Sequence, residues 1–191
     1  VYEGFKKIFG AEIVYQESVS LEIEADKVFS PSLEDHISLS DTLGNAIRSM
    51  SQRTQDYDLL VIYLPDIWSK GFEDVESNFD LHDFLKAATA IRNIPTQIVT
   101  EKGALRYKCR CSVMWRLSIA FYVKAGGTPW KLASIDNESA FIGLSYSARK
   151  NPVTENFDFT TCCSQVFDSD GTGLEFLAYD TSGIESTQGA N

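Results

Sequence analysis

The sequence predicts an α/β fold built on a parallel sheet, and three observations point there. Asp58-Leu59-Leu60-Val61-Ile62-Tyr63-Leu64 is a continuous apolar run after its first residue, stopped by Pro65, which suits a strand buried on both faces. A second short strand, Thr96-Gln97-Ile98-Val99, follows Pro95. Segments with helical apolar spacing alternate with these strands. Strand, helix, strand, helix at this spacing implies parallel strands joined by helical crossovers.

Taken in order, residues 11–24 alternate (Ile13, Tyr15, then Val19, Leu21, Ile23) and read as one or two strands. Residues 25–39, with Pro31 and scattered polar groups, read as a loop. Ser40-Asp41 opens a helix with Leu43, Ile47 and Met50 on one face and Ser40 as N-cap. Past the strand at 58–64, residues 66–79 are an acidic, irregular connection. Asp80 caps the next helix, which runs through Phe84, Leu85, Ala88 and Ile91 and ends at Asn93. A basic stretch follows the second strand. A long apolar helix then runs from Ser112 to Ala125, terminated by Gly126-Gly127 and Pro129. After residue 132 the pattern turns antiparallel. Ala140–Tyr146, Phe157–Phe167 and Gly173–Ala178 read as strands, the last two joined by a hairpin turn at Asp168-Ser169-Asp170-Gly171. The tail from Thr181 to Asn191 is rich in Ser, Thr and Gly.

The 191 residues fit one large domain or two small ones. A hydrophobic share of 43% with 23% charged residues is ordinary for a chain that buries a core. No apolar run approaches the roughly 20 residues that span a bilayer, so the expectation is no membrane contact and a cytoplasmic location. The start, Val1-Tyr2-Glu3-Gly4-Phe5, is neither a signal peptide nor a natural initiator, and reads as part of something longer. Cys109-x-Cys111 and Cys162-Cys163 lack the ligand spacing of common zinc sites. They read as reduced, mostly buried thiols.

Charge is distributed unevenly. The chain carries a net −10, yet residues 82–131 hold nine Lys/Arg against two Asp/Glu. Overall acidity disfavours indiscriminate duplex binding, which needs broad phosphate neutralisation. A local positive island suits a single anion. Within it lie His82, Lys86, Gln97 and Lys124. His82 and Lys86 are four apart and share a helix face near the positive end of the helix dipole. Gln97 begins the next strand, at the opposite end of the sheet from that helix start, and reaches the others only if the connection folds back. Lys124 sits in the last turn of the long helix. Each has an ordinary explanation alone: a solvated histidine, a solvent-facing lysine, a lysine that complements a helix C-terminus. Together they offer many donors to a terminal phosphate, each charge-assisted bond worth roughly 1.5 to 3 kcal/mol.

His82-Asp83-Phe84-Leu85-Lys86-Ala87, then Ile94-Pro95-Thr96-Gln97, then Trp115 through Lys124-Ala125-Gly126-Gly127-Thr128-Pro129-Trp130-Lys131-Leu132 resembles the MID domain of prokaryotic Argonautes and PIWI proteins. The resemblance spans residues 58–178, and His82 as first member is similar to a His-Lys subtype among short prokaryotic Argonautes. It implies a Rossmann-like MID domain over residues 1–131, N-terminal strands included, followed by the incomplete beginning of an RNase H-like PIWI domain over 132–191. It implies that His82, Lys86, Gln97 and Lys124 bind the 5′-phosphate of a guide RNA. Family members often place Asn and Gln on the long helix to hold Mg2+ beside that phosphate. Arg116 and Ala120 stand there in this chain, and Arg116 would supply the positive charge itself. Trp115 and Trp130 read as core residues rather than as platforms for a base.

Slicing Argonautes carry an Asp on the first PIWI strand after an Ile-Gly-hydrophobic triplet; this chain reads Ile142-Gly143-Leu144-Ser145. Two-metal phosphodiester hydrolysis needs anionic oxygen ligands, and a neutral hydroxyl is a poor substitute. The hairpin turn accounts for Asp168 and Asp170. The resemblance thus implies a non-slicing guide binder in prokaryotic defence. Its partners would be a target DNA and an APAZ-containing effector of TIR, sirtuin-like or nuclease type. Two other readings remain on residues alone: an α/β enzyme or regulatory domain that binds a nucleotide or phosphate metabolite, and a structural scaffold. No GxGxxG motif, Walker lysine loop or Ser/His/Asp set supports the former.

Overall fold

The structure, a computed structural model, describes residues 4–24, 27–133, 139–150 and 157–180. The Ser/Thr/Gly-rich tail lies outside them. The chain forms two compact units that divide between Pro129 and Trp130. The architecture is mixed α/β with small sheets.

The first unit contains α1 (Gly4–Phe9), α2 (Asp35–Ser51), β1 (Leu60–Leu64), β2 (Glu73–Asp74), β3 (Phe79–Asp80), α3 (Leu81–Ala90), β4 (Thr96–Thr100) and α4 (Arg110–Lys124). β1 and β4 pair in parallel, from Leu60 opposite Thr96 to Leu64 opposite Thr100. Leu39, Leu43 and Ile47 of α2 pack with Leu81, Leu85 and Ala88 of α3 and with Leu64 and Ile98 of the strands. β2 and β3 make a small antiparallel pair that leads directly into α3. α1 packs on the outside of α4, where Phe9 stacks on Tyr122 at 4.6 Å.

Several expectations need correction. Residues 11–24 form no strand, only one 3-10 turn at Glu17–Val19. Their alternation does not bury a face: Val19 is buried, while Val14, Tyr15 and Leu21 are exposed. α2 begins at Asp35, one turn before Ser40, whose hydroxyl donates to the Ile37 carbonyl at 3.0 Å instead of capping. Packing extends the helix, because Leu39 is fully buried against Gly71. A Cβ on Gly71 would lie 2.9 Å from Leu39 Cδ2 and 3.0 Å from the Asp35 carbonyl, so only glycine permits this approach. β1 is buried on one face only, with Val61 and Tyr63 each 45% exposed. Neither Trp115 nor Trp130 is core; the buried tryptophan is Trp68. Cys109 and Cys111 are exposed free thiols at the start of α4, and Cys163 is half-buried and free.

The second unit is an antiparallel sheet of order β5 (Phe141–Lys150), β6 (Phe157–Phe167), β7 (Gly173–Asp180). The expected hairpin is present. Asp168 N–H donates to Thr172 O at 2.8 Å, and Gly171 takes φ 82°, the left-handed conformation a tight turn demands. No helix among the described residues is long and apolar enough to cross a membrane.

Candidate anion-binding site

α3 starts cleanly because the Asp80 carboxylate accepts Asp83 N–H at 3.2 Å, satisfying one free donor of the first turn. Its apolar residues Leu81, Leu85 and Ala88 lock it onto the core. Lys86 follows Leu85 and is half-buried at the margin of that face. Asn93 then takes φ 53°, the chain turns, and Ile94 N–H returns to Thr89 O at 3.0 Å. Thr96 and Gln97 begin β4 directly after this turn.

From the far end of β4, a single π-turn (Glu101–Leu105) leads into α4. Ion pairs brace that connection: Arg106 bonds Glu101 at 2.6 Å and Asp66 at 3.3 Å, while Asp66 N–H donates to Glu101 Oε2 at 2.9 Å. Sequence reasoning missed this cluster. Its signal was an acidic residue immediately beyond each strand, or nearly so, with one arginine five residues after Glu101. α4 runs back along β4, so its last turn returns to where the strand begins. There it stops on two glycines. Gly126 takes φ 88° and donates to Val123 O at 3.0 Å, and Gly127 N–H donates to Tyr122 O at 2.8 Å, the paired closure of a Schellman cap. A Cβ on Gly127 would come within 2.5 Å of the Tyr122 ring. This stop leaves Lys124 as the last helical residue.

The result brings Lys86, Gln97 and Lys124 together. Lys124 Nζ donates to Gln97 Oε1 at 2.8 Å and to the Thr96 carbonyl at 2.5 Å. The fold-back that Gln97 required is thus present. Gln97 Nε2 donates to Ile98 O at 2.7 Å, which fixes the amide with its oxygen toward Lys124. Burial, together with the like charge of Lys86, pulls the Lys124 pKa down to about 8. Among the described residues neither Lys86 nor Lys124 is in a salt bridge, whereas Lys6, Lys27, Lys70, Arg53, Arg106 and Lys131 each pair with a carboxylate. Lys86 and Lys124 are thus two clustered ammonium groups with no carboxylate partner among the described residues.

The other sequence-predicted members are placed differently. His82 lies one turn before Lys86, exposed, with Nδ1 3.4 Å from Asp83 Oδ1. Arg116 lies two turns before Lys124, about 12 Å along the helix axis. Its Nε donates to Ser112 O at 3.4 Å and its guanidinium sits 5.7 Å from the Tyr107 ring. Arg116 and Ala120 offer no oxygen ligand, so they do not fit a divalent ion. Asp80, His82 and Asp83 bring potential ligand atoms within 4.8 Å of one another, all exposed, but Asp80 already caps the helix.

No protein-family profile and no curated protein matches the chain. Among solved structures, the fold is similar to that of Argonautes. A crystal structure of Aa-Ago with externally bound siRNA is 20% identical, with a TM-score of 0.52 over 76% of this chain and 20% of its own. A structure of Aquifex aeolicus Argonaute is 22% identical, with a TM-score of 0.42 over 66% of this chain and 18% of its own. The chain therefore spans about a fifth of the length of the Argonautes it matches. At this identity the likeness is one of fold.

Proposed function

We propose that this chain anchors the 5′-phosphate of a small guide RNA through Lys86, Gln97 and Lys124, as part of a non-slicing Argonaute-like protein. The observation that carries the reading is the ammonium pair beside the start of β4, in which Lys124 donates to two neutral oxygens and neither lysine has a carboxylate partner among the described residues. His82 would join by turning from Asp83 toward the same phosphate. With the anchor fixed, base pairing would read a complementary target DNA, and the protein would read backbone and phosphate.

The second unit supports the non-slicing part. Ser145 occupies the middle of β5, opposite Cys163 of β6, where the family resemblance expects a metal-binding aspartate. The hairpin carboxylates are engaged in the turn. Asp168 Oδ1 accepts Ser169 N–H at 2.7 Å, and Asp170 is held by Lys131 at 2.6 Å and Thr172 N–H at 2.8 Å. Any catalytic output would come from an associated APAZ-containing effector in a defence system.

Competition binding tests the anchor. A labelled 5′-phosphorylated RNA should be displaced by the same RNA unlabelled, and at least about tenfold less well by its 5′-hydroxyl form. Lys86→Ala and Lys124→Ala should each erase most of that difference. If a free mononucleotide competes as well as the oligonucleotide, the site belongs to a nucleotide-binding domain. If neither phosphate matters, the chain is a scaffold.

A further inference from the structure

We infer that this site is proton-linked: Lys124, set against Lys86 and two neutral oxygens, holds the phosphate in its charged form, and binding favours that form. The inference rests on the phosphate-anchor reading above and concerns the charge state of the same residues. Among the described residues, the groups recorded against Lys124 are neutral or positive. From β4 come the Thr96 carbonyl and the Gln97 amide oxygen. From α3 comes the Lys86 ammonium. α4 itself contains no Asp or Glu over Arg110–Lys124. The carboxylate of Asp83, in the first turn of α3, is exposed and faces His82. Gln97 cannot answer by rotating, because its amide nitrogen is tied to Ile98 O. The half-buried cation therefore has two dipoles to accept its hydrogen bonds and no negative charge to offset its neighbour. An incoming phosphate dianion supplies that charge.

The sign follows from this. In the free site the Lys124 pKa lies at about 8, and the bound dianion raises it again. Affinity is then full below that value and falls as pH rises through it, by roughly tenfold per pH unit. Below about pH 6 the phosphate takes up its own second proton and affinity falls once more. Binding is strongest in the window between. A histidine contact predicts something else, a loss centred near the reference imidazole value of about 6.5.

Isothermal titration of the full chain with a 5′-phosphorylated RNA, at pH 8 in HEPES and in Tris, reads the proton directly. The 5′-hydroxyl RNA serves as control. The expected result is uptake of roughly half a proton per RNA, since a group at its pKa is half protonated. Affinity measured from pH 6.5 to 9 should fall at the alkaline end. Lys86→Met should move that fall to higher pH, and Lys124→Arg, permanently charged, should flatten it. Equal heats in both buffers with a flat pH profile, the 5′-phosphate preference intact, would overturn the proton linkage and leave the anchor standing. A fall confined to pH 6–8 and lost in His82→Ala would assign the linkage to the histidine and overturn this one. Loss of any 5′-phosphate preference at pH 7 would remove both.

Discussion

Lys124 and Lys131 stand seven residues apart in the chain and meet opposite circumstances. Lys131, in the second unit, closes on Asp170 at 2.6 Å, and that carboxylate also accepts Thr172 N–H at 2.8 Å. The lysine contact and the Thr172 bonds hold the Asp170 carboxyl well below the usual carboxylate range. Lys124, in the first unit, meets Lys86 and two neutral oxygens, and its pKa falls. The first pair is internally complete; the second brings two like charges together, and on the proposed reading a phosphate completes it. The difference shows that a basic stretch of sequence does not define an anion site. What sets Lys86 and Lys124 apart is that two cations come together with no carboxylate partner among the described residues. Elsewhere in the positive island at 82–131, Arg106 is spent on Asp66 and Glu101 and Lys131 on Asp170, while Arg92, Arg110 and Arg116 donate to backbone carbonyls.

The two units also differ in how they are packed, and the largest expected effect lies there. Leu39 is fully buried in the core that seats α2 against the sheet and α3. Leu39→Ala should cost about 2–5 kcal/mol in denaturant unfolding. Leu144 on β5 is 62% exposed, and its change to alanine should stay within about 0.5 kcal/mol. Equal costs at the two positions would mean that the second unit has a core of its own at β5. A smaller effect, now on binding, comes from importing the arrangement of Lys131 into the first unit. Lys86→Glu places a carboxylate beside Lys124, raises the Lys124 pKa and satisfies it internally. Preference for 5′-phosphate RNA should drop by about 1.5–3 kcal/mol in a binding titration, with the fold intact by circular dichroism. Retained preference would show that the cation pair is not the anchor.

Legibility followed the range of the determining interactions. The Asp80 cap, the Asn93 stop, the glycine pair after α4 and the 168–171 turn are set by residues within a few positions of one another, and all could be read in the sequence. β1 and β4 were legible as apolar runs between prolines or turn residues. The strands expected at 11–24 were not formed, because alternation is informative only when a partner strand and a core face exist to receive it. The first turn of α2 was hidden because Leu39 owes its place to Gly71, a contact across 32 residues. At the site, residue types and spacing named Lys86, Gln97 and Lys124, but the direction of α4 decided whether Gln97 could meet them. The role of the Thr96 carbonyl had no sequence signal, since every residue carries one. His82 and Arg116 fit the same pattern in sequence. Rotation about α3 toward Asp83, and two turns of distance along α4, are tertiary facts.

The smallest effect tests the other half of the comparison. Asp170→Asn removes a carboxylate whose folded pKa is lowered, so its contribution is present at neutral pH, above the unfolded value of about 3.9. That contribution is lost as pH falls through the folded pKa. The variant should therefore melt slightly below the parent at pH 7, and the gap should close progressively on acidification below pH 4. Its 5′-phosphate preference should match the parent at every pH, because the proposed anchor consists of first-unit residues and does not include Lys131. A gap that stays constant down to low pH would mean that the turn uses Asp170 for its shape and not its charge. A changed phosphate preference would mean that the two lysines, so different in their surroundings, serve one site.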